Sequence, residues 1–219
     1  MRKSLLFVWA CMGLVCLMSA CKTSVKSKEW KLVWVENFDQ KNSFDESVWT
    51  KIPRGTSDWN NYMSYYDSCY AMQDGNLILR GIANHTQKND TAPYLTGGVY
   101  TKGKKLFTGG RVEVCARLQA AKGAWPAIWM LPEKAEWPKG GEIDIMERLN
   151  HDHIAYQTTH SYYTHILGIK DNPPHGGINK INPEEYNIYS VDIYPDSLVF
   201  AVNHRHTYTC LLYTSPSPR

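Results

Sequence analysis

Cysteine is scarce in this sequence. Six occur in 219 residues, and Cys11, Cys16 and Cys21 all fall at the N-terminal end. The other three, Cys69, Cys115 and Cys210, match no metal-binding spacing and no disulfide framework. A charge excess is also lacking. The 24 Lys and Arg against 21 Asp and Glu leave +3, too little to argue for a nucleic-acid partner or an acidic substrate. No long stretch keeps the 3.6-residue period of an amphipathic helix, and no segment repeats. Helical bundles, repeat arrays and nucleic-acid binding are therefore not expected.

What is present begins with a targeting segment. Arg2 and Lys3 precede an apolar run from Leu5 to Met18, the length of a signal-peptide core, so residues 1–20 are expected to be a signal peptide. Met18-Ser-Ala-Cys21 resembles a bacterial lipobox, which would put a lipid on Cys21, although Met at its first position departs from the pattern. The polar, basic stretch that follows reads as a tether over residues 21–29. Export is expected, with a lipid anchor at the outer membrane or cell surface as the membrane contact. Plain secretion, a periplasmic location and a retained membrane anchor are the alternatives.

From Trp30 onward the chain reads as short strands between turns. Hydrophobic residues make up 43% and charged residues 21%, ordinary for a soluble globular domain. Strands are expected at Trp30–Phe38, Asn76–Arg80, Gly97–Thr101 and Gly110–Leu118, then around Trp125 and Glu142. Ile154–Ser161, Tyr186–Tyr194 and Ser197–Asn203 follow, and Asp74-Gly75 is a turn signal. Cys115, inside an alternating run, is expected to be a small core residue. The pattern predicts an all-β sandwich and a monomer. Eight tryptophans are prominent, since flat rings can stack on sugars, although most such rings belong to cores.

One stretch concentrates acid: Gly140-Gly-Glu-Ile-Asp-Ile-Met-Glu-Arg148. Alternation puts Glu142 and Asp144 on one face of a strand and Ile143 and Ile145 on the other. Glu147 lies five residues after Glu142 and would face away in a regular strand. One β-bulge at Ile145-Met146 adds a residue and returns Glu147 to the shared face. Neighbouring carboxylates repel and raise one another's pKa, so a row of them is costly without a use. A pair of carboxylates is what a glycosidase requires, one to attack the sugar and one to protonate the leaving oxygen, about 5–5.5 Å apart in the retaining mechanism. A solvated acidic strand is the plain alternative.

The surrounding residues favour the first reading. Gly123-Ala-Trp-Pro-Ala-Ile-Trp-Met-Leu-Pro132 and Trp137-Pro-Lys-Gly-Gly-Glu-Ile-Asp-Ile-Met-Glu147 closely resemble glycoside hydrolase family 16, over about Trp30 to Thr209. The resemblance implies a concanavalin A-like β-jelly roll with a cleft on its concave sheet. It implies Glu142 as nucleophile, Glu147 as general acid/base and Asp144 as the helper between them. It implies Trp125 and Trp137 at the cleft, with Trp129 there or in the core. Asn61, in a loop that departs from the family pattern, would bind a sugar hydroxyl. His160, at the end of Gln157-Thr-Thr-His160, would bind substrate, orient a carboxylate or be structural. The residue inserted before Glu147 resembles the laminarinase form, pointing to β-1,3-glucan. Endo-β-1,4-galactosidase action on mucin-type or keratan glycans is the alternative, and a non-catalytic sugar-binding module is the rival of another class.

No cofactor is required by this chemistry. A structural calcium held by N-terminal acids such as Glu36 stays open, and His151-Asp-His153 with His160 and His165 matches no metal template. The end of the chain, from Cys210 to Arg219, resembles translated adapter sequence. Residues 210–219 are therefore expected to be a non-native tail. Domain 30–209 is expected to lack its last strands, and the chain as written to be an incompetent enzyme.

Overall fold

A computed structural model describes residues 30–119, 121–169 and 175–211. The targeting segment, the tether with Cys21, and residues 212–219 lie outside the described residues. Fourteen strands occur among the described residues, all within the unit Leu32–Arg219. In chain order they begin with β1 (Thr50–Lys51), β2 (Tyr70–Gln73), β3 (Asn76–Leu79), β4 (Gly81–Ala83) and β5 (Tyr94–Thr96). Next come β6 (Val99–Tyr100), β7 (Gly110–Ala116), β8 (Ala127–Met130), β9 (Glu142–Glu147) and β10 (Ile154–His160). The last are β11 (Gly176–Lys180), β12 (Asn187–Ile193), β13 (Ser197–Val202) and β14 (Arg205–Leu211). One helix of four residues, α1 (Tyr162–His165), follows β10.

Two antiparallel four-stranded sheets form the body, in the orders β11-β10-β9-β8 and β14-β13-β12-β7. Strands β12 and β13 show the inward phase most plainly. On β13, Leu198, Phe200 and Val202 point in; on β12, Tyr189 and Val191 do the same. They meet Ile145 and Met146 of β9, Ala155 of β10 and Cys210 of β14 in one core. Burying each large side chain contributes about 1.5–3 kcal/mol, which is why the two apolar faces close on each other. Phe200 pairs across the ladder with Tyr208, and their rings stack at 4.5 Å and 8°.

Most expected strands are present, with four differences. Trp30–Phe38 forms no strand, and Leu32, Val33 and Val35 are exposed, because among the described residues no strand pairs with their backbone. Trp125 precedes β8 instead of lying on it. Cys115 is exposed, since it shares the outward phase of β7 with Arg111 and Glu113 while Val112, Val114 and Ala116 face inward. β14 runs past the expected Thr209 boundary to Leu211, with Cys210 buried in the core. The Asp74-Gly75 turn joins β2 to β3, with φ of 52° and 69° and Gln73 opposite Asn76, the geometry of a two-residue hairpin loop.

Candidate active site

The acidic stretch forms β9, in the middle of its sheet between β8 and β10. Gly140 and Gly141 lead into it. A side chain on Gly140 would overlap Pro132 and Ala135, and Gly141 has φ 76°, so the chain enters β9 by a path that side chains would obstruct.

The register then shows where each acid points. Against β10, Glu142 faces His160, Asp144 faces Thr158 and Glu147 faces Tyr156. Two residues lie between Asp144 and Glu147, but only one between Thr158 and Tyr156. Against β8, Ile128 pairs with Met146 and Trp129 with Asp144, which places the extra residue at Ile145. The bulge lies where the spacing of the acids requires it. Ile145 and Met146 are consecutive yet both buried in the core, and the phase of the strand changes between Asp144 and Glu147. All three acids therefore share the outer face of this sheet.

Each glutamate receives an indole N–H. Trp137 Nε1 donates to Glu142 Oε2 at 2.5 Å, and Trp125 Nε1 donates to Glu147 Oε1 at 2.7 Å. Both rings are about half exposed, at 47%, which leaves them surface to offer a ligand. The loop of Trp125 is tied to the chain beyond Glu147. Arg148 N donates to Pro126 O, Asn150 N to Ala124 O, and Gly123 N to Asn150 Oδ1. Buried Arg148 also donates to the carbonyls of Asp152 and Leu118. Trp137 rests edge-on against His165, with ring centres 4.5 Å apart. His165 is held by α1, whose Ser161 Oγ accepts from Thr164 N while Thr164 Oγ1 accepts from Ser161 N, a reciprocal cap.

Asp144 is the most enclosed of the three acids, 2% exposed. Its Oδ2 lies 3.3 Å from His160 Nε2, within ion-pair range but without a well-aligned donor. Burial pushes the Asp144 carboxyl above the usual aspartate range, against the pull of His160. His160 is in turn raised, chiefly by its contact with Asp144. A raised aspartate favours the neutral acid and a raised histidine favours the ion pair. The direction common to both is that the pair holds its proton to higher pH than either group would alone. Glu142 is raised too, first by burial and then by the charge of Asp144, with the Trp137 indole opposing.

Trp129 lies opposite Asp144 and packs edge-on against Trp59, ring centres 5.4 Å apart. Asn61 belongs to the same 57–63 turn as Trp59, and its Oδ1 is buried without a protein donor. The sequence reading gave Trp59 and His165 no place at the cleft, because their contacts with Trp129 and Trp137 are made only in the fold. Glu36 accepts from Phe38 N and Trp49 Nε1. His151 and His153 line a cavity of about 310 Å³ with Arg148 and Glu184. Among the described residues, no group of His, Cys, Asp and Glu is placed to hold a metal ion.

With this geometry in hand, the similarities to known proteins are specific. A family model described as "XgeA-like, catalytic GH16 domain" matches residues 84–182. The chain is 37% identical over 192 residues to a keratan-sulfate endo-1,4-β-galactosidase of Sphingobacterium multivorum, covering 85% of this chain and 44% of that protein. It is 30% identical over 216 residues to a β-glucanase of Rhodothermus marinus, covering 93% of this chain and 72% of that one. The chain thus spans less than half of the first relative and nearly three quarters of the second. Among solved structures, a laminarinase from Rhodothermus marinus superposes with a TM-score of 0.74 at 28% identity, over 87% of this chain and 79% of that one. A non-specific endo-β-1,3(4)-glucanase from family GH16 superposes at 0.72 with 26% identity, over 84% and 73%.

Proposed function

Because this chain belongs to glycoside hydrolase family 16, we propose that the protein is a retaining endo-glycosidase cutting internal β-glycosidic bonds of a polysaccharide. Its antiparallel sandwich is the β-jelly roll of that family. The observation that carries the reading is the bulge at Ile145-Met146, which brings Glu142 and Glu147 to one face, each receiving an indole N–H.

In the first step Glu142 attacks the anomeric carbon while Glu147 gives its proton to the departing glycosidic oxygen. The C–O bond breaks and a glycosyl ester forms on Glu142. In the second step Glu147, now ionised, takes a proton from water, which attacks the same carbon and frees Glu142. Two inversions give net retention. Asp144, with His160 against it, lies beside Glu142 and adjusts the charge that Glu142 must carry. The arriving sugar displaces water from Trp125 and Trp137 and stacks on their open faces.

β-1,3-Glucan is the first substrate choice, supported by the bulged form of β9 and the likeness to laminarinases. Endo-β-1,4-galactosidase action is the second, supported by the 37% identical relative and the divergent Asp58–Ser64 loop. Incubation with laminarin, mixed-linkage glucan, agarose, and keratan or mucin glycans separates the two, and the anomer released first, followed by NMR, tests retention. No cleavage of any β-glycan by the intact protein would leave the binding-module reading. We further propose export and lipid anchoring through Cys21, a reading that rests on the sequence of residues 1–29. Incorporation of labelled palmitate, abolished in Cys21→Ala, tests it.

A further inference from the structure

Gln157 occupies a place where the strand pattern calls for an apolar residue. On β10 the inward positions are Ala155, Gln157 and Thr159, and Gln157 is completely buried. It is also the one residue of β10 between Tyr156 and Thr158, opposite the two bulged residues Ile145 and Met146. A bulge disrupts its ladder, and Ile145 is paired with neither β8 nor β10. Its carbonyl is satisfied from inside the core instead. Gln157 Nε2 donates to Ile145 O at 2.8 Å and also approaches Ala201 O at 3.2 Å and Ser190 O at 3.5 Å. Ser190 and Ala201 are a registered pair of β12 and β13, in the opposite sheet. One amide group thus links the bulge to the facing layer.

Packing alone does not account for this. Three carbonyl oxygens around one atom identify it as the nitrogen, and the amide oxygen, also buried, has no donor. An apolar side chain would fill the same space without that unsatisfied oxygen. What an apolar side chain lacks is a donor for the carbonyl that the bulge leaves over.

We propose that Gln157 is a positioning residue for the general acid. It acts through the bulge, holding Ile145 O and with it the strand phase that turns Glu147 onto the face of Glu142. It touches no substrate. This inference rests on the glycosidase reading above, in which Glu147 supplies the proton.

The test compares Gln157→Met with the unaltered protein. Met keeps the length and volume and removes the donor. Loss of placement at Glu147 should lower kcat on the natural glycan by about 100-fold, the scale of a misplaced catalytic group. KM should stay within about threefold, and kcat/KM for an aryl glycoside with an activated leaving group should fall by no more than about threefold, since the first step on that substrate needs little protonation. Equal losses on both substrates, or no loss on either, would overturn the proposal. If Gln157→Met does not fold, the same change is made in a chain lacking Met146, where β9 pairs in register and no carbonyl is left over. Folding there supports the proposal, and failure there makes Gln157 a residue of the core alone. Should the unaltered protein cleave no glycan, that result counts against the functional reading. The comparison of thermal unfolding with and without Met146 then still decides whether Gln157 serves the bulge.

Discussion

Trp125 Nε1 lies 2.7 Å from Glu147 Oε1, although 22 residues separate them in the chain. The contact is made possible by the hydrogen bonds that lace residues 123–126 to residues 148–150. An indole N–H aimed at a carboxylate holds that group in one rotamer and restricts where its proton can be delivered. In the intact protein, Trp125→Phe keeps the ring and removes the donor. A hydrogen bond to a charged group is worth about 1.5–3 kcal/mol. Loss of it should lower kcat on a polymer by roughly tenfold or more. Unchanged steady-state kinetics would mean that the bond does not serve catalysis.

Glu142 and Glu147 differ in what their loss should do. Glu142→Ala removes the nucleophile and should abolish turnover, with azide restoring cleavage to a product of inverted configuration. Glu147→Ala should retain some activity on substrates whose leaving groups need no proton, with kcat/KM spared more than kcat because the second step still lacks its base, and should stop cleavage of the natural glycan. Full activity of Glu147→Ala on a polysaccharide would reverse the assignment. Asp144→Asn should cost less than either, because Asp144 acts on the charge of Glu142 and does not reach the sugar.

The pH profile should report Glu142. Burial and Asp144 raise its pKa, and only its ionised form attacks, so activity should be present above that raised value and fall as pH drops through it. The Trp137 indole opposes the rise by donating to the ionised carboxylate. Trp137→Phe should therefore move the acid limb of kcat/KM to higher pH. Trp137→Ala should do the same and also raise KM, by an amount corresponding to about 1–3 kcal/mol of lost apolar contact. An acid limb that stays put in Trp137→Phe would contradict the role given to the indole.

The core makes a prediction independent of function. Phe200 is fully buried between the sheets and stacked on Tyr208. Phe200→Ala should destabilise the fold by about 3–5 kcal/mol, the range for a large aromatic removed from a close-packed core. Thermal or urea unfolding measures it, and a loss under about 1 kcal/mol would mean that the sheets are less tightly closed here than their packing indicates.

Much of the site was legible in the residues. The five-residue gap between Glu142 and Glu147 required a bulge between them, because successive strand side chains alternate by covalent geometry. The same rule contains the answer for Cys115, which shares a phase with Arg111 and Glu113; its residue type suggested the core, and the phase was the better guide. Trp30–Phe38 shows the limit of local pattern, since an alternating run becomes a strand only when another strand pairs with it.

Period and phase belong to the chain itself, and from them followed the all-β class, the shared face of the three acids and the position of the bulge. Partners belong to the fold. Which tryptophan meets which glutamate, the contact of His165 with Trp137, and the closeness of Asp144 to His160 depend on register between strands and on loops that return from far along the chain. Gln157 is the sharpest case. Alternation marks it as inward, but its contacts became visible only in the fold, where its Nε2 meets Ile145 O at the bulge and approaches Ala201 O and Ser190 O of the second sheet. Which acceptors a buried amide nitrogen meets is settled by packing.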